Sequence, residues 1–311
     1  MSILVSGSVA FDHIMVFPDR FANHILPDQV HALNVSFNIT SLDTHFGGVA
    51  GNIAHHLRML GADPLILSAV GSDFGSYAER LDQLGIRRDG IVVFDDVRTT
   101  QGFVTTDRED CQIWAFYEGA MARAHEARVE DVREPIELAI VSATGKRAML
   151  EHPRALKQRG VPTWIDPSHG LPILSGPELL EMIEGAAGYF ANDYEWRLTL
   201  DKTGVSESEI EALCANVIIT YGAEGSEIRT RGGSLRIPAV EPKQVIDPTG
   251  CGDAYRAGFL FAIASGKPLD VAGRIGSLLG SWQVEVEGAQ ALGYDIAAVR
   301  ARYAEAFGGG F

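Results

Sequence analysis

The sequence predicts an α/β protein with a doubly wound, mostly parallel sheet flanked by helices, and a smaller β-sheet that forms a lid. Short apolar strand patterns alternate with helical patterns along most of the 311 residues, which is typical of a parallel sheet covered on both faces. Two insertions, at about 12–46 and 99–118, carry strand patterns that interrupt this alternation. We therefore expect one domain over residues 1–311, with the lid formed by the two insertions.

The main sheet is predicted from apolar runs that end at glycine or polar residues. Strand patterns at 3–9 and 64–71 are followed by helix patterns at 49–61 and 73–85. The runs IELAIVSA, VPTWID, GYFAN and NVIITYG then repeat the composition of strands that are buried on both faces. From Asp253 onward the patterns are helical.

The lid is predicted from period-2 patterns in the two insertions. In LNVSFNITSL, the apolar residues Val35, Phe37 and Ile39 alternate with polar neighbours, which predicts a half-buried strand in a separate sheet. Residues 99–117 predict two strands, around GFVTT and QIWAFY, joined by the polar turn DRED. Exposed strand edges often pair between subunits, so we also expect a homodimer formed through the lid.

Composition and charge exclude several classes of protein. The formal net charge is −15 and no run of Lys or Arg forms a basic face, which argues against a nucleic-acid partner. No apolar stretch is long enough for a membrane span and the N-terminus lacks a basic leader region, so we expect a cytoplasmic protein without a membrane partner. The three cysteines are far apart, which argues against disulfides or a cysteine-based zinc site.

The segment VIDPTGCGDAYRAGFLFA (245–262) carries the strongest chemical signal. Gly250 and Gly252 leave backbone N–H groups unobstructed at the start of an apolar helix, where the helix dipole favours an anion. Asp253 could accept a proton from an attacking hydroxyl. Taken alone, the segment is equally consistent with a tight turn and a helix cap.

A second segment agrees with the chemical interpretation. FGGVAGNIAHHLRMLGADPLILSAVGSDFG (46–75) together with DPTGCGD resembles the two signatures of the ribokinase (PfkB) family of sugar and nucleoside kinases. The blocks SFNITSLDTHFGGVAGN, QIWAFYEGAM, DPSHGL and ANDYEW are similar to bacterial adenosine kinases of the actinobacterial type. The resemblance implies a ribokinase-like fold and transfer of phosphate from ATP to the 5′-hydroxyl of adenosine, giving AMP, with Mg²⁺ and, in many relatives, K⁺.

The resemblance assigns roles to individual residues around the acceptor. It implies that Asp253 is the catalytic base and that the backbone from Gly250 through Cys251 and Gly252 forms an anion hole. It places near the ribose Ser8, Asp12, Gly48 and Asn52. It places near the purine base of the substrate Ser36, Phe103, Phe116 and His169. Similar enzymes more often carry Gln at the position of His169.

On the ATP side, the resemblance implies three further groups. Asn192 and Glu195, in NDYE, match an element that arranges Mg²⁺ and phosphate, largely through water. A nucleotide loop after a strand contains Thr220, Gly222 and Gly225. Asp247 and Thr249 would neighbour a monovalent cation.

Two alternatives and one hypothesis accompany this interpretation. The protein could phosphorylate ribose or another nucleoside on the same scaffold, or it could bind a nucleoside without catalysis. The thiol of Cys251, at a helix N-terminus, is expected to have a lowered pKa, so that its oxidation would block the anion hole.

Overall fold

The computed structural model describes residues 1–25, 34–109 and 111–311. In chain order its strands are β1 (Ser2–Ser6), β2 (Ala10–Val16), β3 (Ser41–Gly47), β4 (Asp63–Gly71), β5 (Ile91–Phe94), β6 (Thr100–Thr106), β7 (Gln112–Tyr117), β8 (Leu138–Ser142), β9 (Thr163–Asp166), β10 (Gly188–Asn192), β11 (Asn216–Thr220), β12 (Ser226–Thr230) and β13 (Gly233–Ile237). The helices are α1 (Val49–Met59), α2 (Gly75–Leu84), α3 (Lys146–Gln158), α4 (Gly176–Ile183), α5 (Asp193–Thr203), α6 (Glu207–Leu213), α7 (Cys251–Ala264), α8 (Leu269–Gln283) and α9 (Ile296–Phe307).

Nine strands form the large sheet, in the order β13-β12-β11-β10-β9-β8-β1-β4-β5. The strands from β10 through β5 pair in parallel, while β12 and β13 are antiparallel at one edge. The mostly parallel, doubly wound sheet predicted from the sequence is therefore confirmed. Successive strands lead away from β1 in both directions, so the strand order reverses between β1 and β8, and such a reversal opens a crevice at the carboxyl ends of the strands.

Helices cover both faces of the large sheet, as the alternation of patterns predicts. One buried cluster packs α1, α2, α7, α8 and α9 against one face. A second cluster packs α3, α4, α5 and α6 against the other. The five residues of β8, like most of those in β1, are buried, because a parallel strand between two layers of helices exposes neither side. No helix in the described part of the chain is long and apolar enough to cross a bilayer.

The small sheet has the order β3-β2-β6-β7 and forms the lid. Strands β2 and β6 run parallel, with Asp12 opposite Gly102, and β6 pairs antiparallel with β7, with Gly102 opposite Phe116. All six residues of the edge strand β7 are exposed. The prediction of strands at 99–117 thus agrees with the observed β6 and β7.

The strand predicted in LNVSFNITSL is wrong. Residues 34–40 have no regular secondary structure, Leu33 lies outside the described residues, and the strand begins only at Ser41. The apolar period has another cause: the Phe37 ring packs against Phe17 and Phe21, with both centroid distances at 4.9 Å. A local aromatic cluster, rather than a strand ladder, packs the Phe37 ring, while Ile39 is exposed.

Candidate active site

Asp253 lies in the first turn of α7, at the crevice formed where the strand order reverses. The turn before it depends on Gly250, which adopts the left-handed conformation with φ of 79°. A Cβ atom at Gly250 would lie 2.6 Å from Ala289 Cβ, so a side chain is excluded there. The chain thus makes a tight turn before α7, which brings the first amides of the helix and Asp253 together.

The predicted anion hole has fewer available amides than the sequence suggests. The amide of Cys251 already donates to the carbonyl oxygen of Pro248 at 3.2 Å. The next two amides, of Gly252 and Asp253, belong to the first turn of α7, where backbone N–H groups have no acceptor within the helix. These two amides are therefore the ones suited to bind an anion.

The Asp253 carboxyl group is buried, and its environment makes it a base near neutral pH. Desolvation raises its pKa to about 7, opposed by the Arg256 guanidinium and by the hydrogen bond from Asn52. That bond runs from Asn52 Nδ2 to Asp253 Oδ2 over 2.8 Å. A carboxylate with this pKa can take up a proton from a hydroxyl group at physiological pH.

A buried ion pair beside Asp253 was missed by sequence reasoning. Arg256 Nη2 donates to Asp166 Oδ1 at 2.7 Å, and Ser142 Oγ donates to the other oxygen of Asp166 at 3.1 Å. A Cβ atom at Gly252 would lie 2.6 Å from Arg256 Nη1, so the guanidinium fills the space beside this glycine. The available signal was an arginine in the otherwise apolar stretch DAYRAGFLFA.

On the acceptor side, the structure gathers Ser8, Asp12 and Gly48 at the junction of the two sheets. Ser8 Oγ accepts a hydrogen bond from the amide of Val49 at 3.1 Å, which ties it to the start of α1. Gly48 has φ of 84°, and a Cβ atom there would lie 2.6 Å from the amide nitrogen of Ala10. Gly48 thus allows close packing against the backbone of residues 8–10, and its contact with the ribose stays a prediction.

Asp12 lies between two glycines of neighbouring strands. A Cβ atom at Gly47 would overlap the Asp12 carboxylate, and one at Gly102 would lie 2.8 Å from Asp12 Oδ1. Burial raises the pKa of Asp12 to about 6, and the nearby His45 opposes this shift. The carboxyl group thus packs closely against two glycines, and its binding of ribose hydroxyls stays a prediction.

The residues predicted to contact the nucleobase divide into two groups. Phe116, on exposed β7, lies with its ring centroid 6.1 Å from that of His169. Although His169 is exposed to solvent, partial desolvation of its ring lowers its pKa below the ordinary 6.5, which favours the neutral imidazole. These two rings form one side of an open cleft.

The structure does not bring Phe103 and Ser36 to this cleft. Phe103 follows Gly102 in β6 and therefore points to the opposite face of the small sheet, where it stacks on His13 with centroids 4.6 Å apart. Ser36 is exposed in the irregular segment before β3. The alternation of strand side chains explains why a shift of one residue changes the assignment of Phe103.

Asn192 and Glu195 form a capping box at the start of α5. The amide of Glu195 donates to Asn192 Oδ1, and the amide of Asn192 donates to Glu195 Oε2, both at 2.8 Å. Burial raises the pKa of Glu195, and the Arg256 guanidinium opposes that shift. The pair therefore has a helix-capping role, and its assignment to Mg²⁺ and phosphate stays a prediction.

The predicted nucleotide loop joins β11 to β12. Thr220 ends β11, and a turn follows over Gly222–Glu224. Gly222 and Gly225 have φ of 58° and 89°, and a Cβ atom at Gly225 would lie 2.8 Å from the amide nitrogen of Ala239. The loop is sharply turned and exposed at 222–224, whereas Gly225 is buried against the backbone of residues 237–239, and the assignment of this loop to the nucleotide stays a prediction.

Asp247 holds the loop before the anion hole. Its Oδ1 accepts from the amide of Thr249 and its Oδ2 from the amide of Gly288, both at 2.9 Å. These bonds give Asp247 a structural role, and the predicted monovalent cation beside Asp247 and Thr249 stays a prediction.

The expectation of a reactive Cys251 thiol is wrong in its premise. Burial, reinforced by the neighbouring Asp253 carboxylate, raises the pKa of the Cys251 thiol. The thiolate is disfavoured because desolvation and the adjacent negative charge outweigh the helix N-terminus.

Comparison with known proteins places this chain in a defined family. The profile described as pfkB family carbohydrate kinase matches residues 6–296. The nucleoside kinase of Methanocaldococcus jannaschii is 32% identical over 260 residues, which cover 83% of this chain and 85% of that protein. The structure of Burkholderia thailandensis nucleoside kinase in complex with inosine superposes with a TM-score of 0.90 at 41% identity and 99% coverage of both chains. The structure of the same kinase in complex with ADP-inosine gives a TM-score of 0.88 at 43% identity, covering 99% of this chain and 97% of that chain.

Proposed function

This chain belongs to the pfkB family of carbohydrate kinases and is a phosphotransferase acting on a hydroxyl group, and within that family we propose that it transfers the γ-phosphate of ATP to the 5′-hydroxyl of a purine nucleoside. Adenosine is the first candidate substrate. The observation that carries the proposal is Asp253, a buried carboxylate with a pKa of about 7 that stands beside the unpaired amides of a helix N-terminus.

The proposed reaction follows from this placement. Asp253 accepts the proton of the 5′-hydroxyl as that oxygen attacks the phosphorus atom. The amides of Gly252 and Asp253 and the nearby charge of Arg256 stabilise the negative charge on the transferred group. Enclosure of the acceptor under the small sheet excludes water, which limits loss of ATP by hydrolysis.

A nucleoside acceptor is favoured over a free sugar by the aromatic lining of the cleft. Phe116 offers an exposed ring to the flat face of a base, next to the neutral imidazole of His169. A neutral imidazole can donate or accept a hydrogen bond, so it suits both the amino edge of adenine and the oxo edge of hypoxanthine. Inosine is named in the structure of the B. thailandensis relative, and it is therefore the second candidate.

The residues on the ATP side fit a magnesium ion held mainly through water. Asn192 and Glu195 offer oxygen atoms but already share a capping box, and Mg²⁺ commonly keeps several waters and takes few protein ligands. When bound, the ion neutralises charge on the ATP phosphates. The loop of Thr220, Gly222 and Gly225 would receive the nucleotide, and the B. thailandensis nucleoside kinase has been solved in complex with ADP-inosine.

We also propose a homodimer formed through the small sheet. The edge strand β7 is exposed along its whole length and carries Trp114 and Tyr117, each more than two-fifths exposed. A second copy would cover these rings. A single species with the mass of a monomer at micromolar concentration, measured by light scattering, would exclude this part of the proposal.

A substrate panel tests the proposed function. Adenosine, inosine, guanosine, cytidine and ribose are each supplied with ATP and Mg²⁺, and ADP release is measured. We expect the purine nucleosides to give the highest kcat/KM. A preference for ribose would identify a sugar kinase on the same scaffold, and phosphate transfer to no nucleoside would refute the proposal.

A further inference from the structure

A path of hydrogen-bonded, buried polar groups connects Gly47, where the small sheet joins α1, to Asp253. The Tyr77 hydroxyl donates to the carbonyl oxygen of Gly47 at 2.8 Å. Gln290 Nε2 lies 2.6 Å from Tyr77 Oη and 3.1 Å from Asn52 Oδ1. Asn52 Nδ2 in turn lies 2.8 Å from Asp253 Oδ2. The path thus runs unbroken from the last residue of β3 to the candidate base.

The first member of the path dictates the direction of every hydrogen bond in it. A backbone carbonyl can only accept, so the one hydroxyl proton of Tyr77 points at Gly47, and the Tyr77 oxygen accepts from Gln290. The amide of Gln290 must therefore present its NH₂ group, whose second proton is donated to Asn52 Oδ1. This contact leaves the NH₂ group of Asn52 facing Asp253. The opposite orientation of the Asn52 amide would set two oxygen atoms against each other.

The surrounding packing is shaped around this path. Tyr77 is fully buried, and Asn52 and Gln290 are each only 6% exposed. A Cβ atom at Gly51 would overlap Tyr77 Oη and lie 3.0 Å from Gln290 Nε2, so the absence of a side chain there makes room for the path. Arg80 Nη2 donates to the backbone carbonyl of Gln290 at 3.1 Å and fixes its position. Away from water, such hydrogen bonds are difficult to replace.

We propose that Tyr77 and Gln290 are positioning residues for phosphate transfer, which hold the Asn52 amide with its NH₂ group toward Asp253 and so keep the base ready to accept a proton. The inference rests on the function proposed above. Because the path starts at Gly47, beside the left-handed Gly48, the orientation of the Asn52 amide is set where the small sheet joins the large one.

Other groups act on Asp253 as well. The charged and titratable groups that face it are, by element, Arg256 and Cys251 on α7, Asp166 at the end of β9, Asp12 on β2 and Tyr77 on α2. The Arg256 cation favours the ionised carboxylate, and the two aspartates disfavour it. Within the described ranges, Asn52 is the one side chain that donates a hydrogen bond to this carboxylate. Loss of its orientation would therefore act directly on the proton affinity of the base.

Tyr77→Phe removes a single hydroxyl group from the path. We expect kcat to fall about tenfold, with the acid limb of the kcat/KM profile moved to higher pH and the KM for the nucleoside nearly unchanged. Gln290→Met removes the central donor and should give the same change. Tyr189→Phe is the matched control, because it removes an equally buried hydroxyl that lies 2.6 Å from Thr199 Oγ1. The control should leave kcat and the pH profile at their wild-type values.

A titration without turnover separates this inference from the proposed function. The titration is followed by NMR in protein with ¹³C-labelled aspartate carboxyl groups. The resonance of Asp253 is assigned as the one that is missing from the spectrum of Asp253→Asn. It should titrate at higher pH in Tyr77→Phe than in the wild type, even if no nucleoside on the panel is phosphorylated. Folded Tyr77→Phe and Gln290→Met proteins with a wild-type Asp253 titration and a wild-type acid limb would show that the path only stabilises the fold, and would overturn the inference.

Discussion

Arg256 and Asp166 form an ion pair over 2.7 Å in the interior of the protein, one helical turn beyond Asp253. Asp166 is fully buried, and Glu195 is also influenced by the Arg256 charge. The guanidinium is thus the fixed positive charge among several carboxylates, in a chain whose formal net charge is −15. Electrostatic organisation of the centre depends on this one cation.

Removal of the Arg256 charge should shift the pH dependence of catalysis. Because Arg256 lowers the pKa of Asp253, Arg256→Met should raise that pKa above about 7 and move the acid limb of kcat/KM to higher pH. The double variant Arg256→Met/Asp166→Asn avoids an unpaired buried carboxylate and should show a smaller shift in the same direction, because loss of the Asp166 charge lowers the pKa of Asp253. Arg229→Met, which removes another paired arginine, serves as control. An unmoved acid limb in the folded double variant would contradict the prediction.

Asp253→Asn should abolish most of the activity without abolishing substrate binding. The amide has nearly the same shape but cannot accept the hydroxyl proton, and loss of a general base commonly lowers kcat by about 10²–10⁴-fold. Stopped-flow or steady-state assays give kcat, and calorimetry gives the Kd for adenosine. Turnover within a few fold of the wild type would remove Asp253 from its assigned role.

The same substitution should stabilise the protein at alkaline pH. Folding raises the pKa of Asp253 from its ordinary value of 3.8 to about 7, so the folded state binds more protons and loses stability as pH rises through this range. Asp253→Asn removes this penalty. We expect its Tm to exceed that of the wild type at pH 8, by a margin that shrinks at pH 5. Calorimetry at both values tests the sign, and a margin that grows toward acid pH is the contrary result.

Gly250→Ala should damage activity and stability together. Its left-handed φ of 79° strains any other residue, and the new Cβ would meet Ala289. Gly266→Ala at the far end of α7 is a matched control, since its φ is 70° but the space around it is open. Both should lose about 1 kcal/mol of unfolding free energy to backbone strain, measured by urea titration. Only Gly250→Ala should also lose turnover, and equal activity in the two variants would refute the role of this turn.

Phe116→Ala should raise the KM for nucleosides while leaving activity on ribose unchanged. Stacking of a base on an aromatic ring contributes about 1–3 kcal/mol, so the nucleoside KM should rise about tenfold or more. Ile113→Ala, at another exposed position of β7, is the control. Equal KM values for Phe116→Ala and Ile113→Ala would show that the Phe116 ring does not contact the base.

The six central strands of the main sheet could be predicted because each carries its own signal, whereas the strands at its two edges, β5, β12 and β13, were not predicted. Buried parallel strands appear in the sequence as apolar runs, and the turns between them appear as glycine-rich segments. The period-2 pattern around Phe37 led to a wrong strand prediction, because Phe37 packs in an aromatic cluster with Phe17 and Phe21 without belonging to a strand. Periodicity indicates which side chains pack against the protein. Whether the segment is a strand or a packed loop depends on hydrogen bonding to a neighbouring strand.

The site could be predicted only where a role is carried by one short segment. The turn at Gly250 and the acid at Asp253 are adjacent in sequence, and their geometry follows from local rules. The contacts of Gln290 with Tyr77 and Asn52 join positions 213 and 238 residues apart. No spacing rule reaches such distances, so these residues emerge only from the folded chain.

The exposed strand β7 separates substrate choice from folding. None of its six residues is buried, so none contributes to the interior of either helical layer. We therefore expect substitution of Phe116 to change what the cleft accepts while leaving the free energy of unfolding of a single copy almost unchanged. A combinatorial library restricted to residues 112–117 would explore new acceptors on a scaffold whose base and phosphate groups stay in place, which makes this strand the natural starting point for redesign.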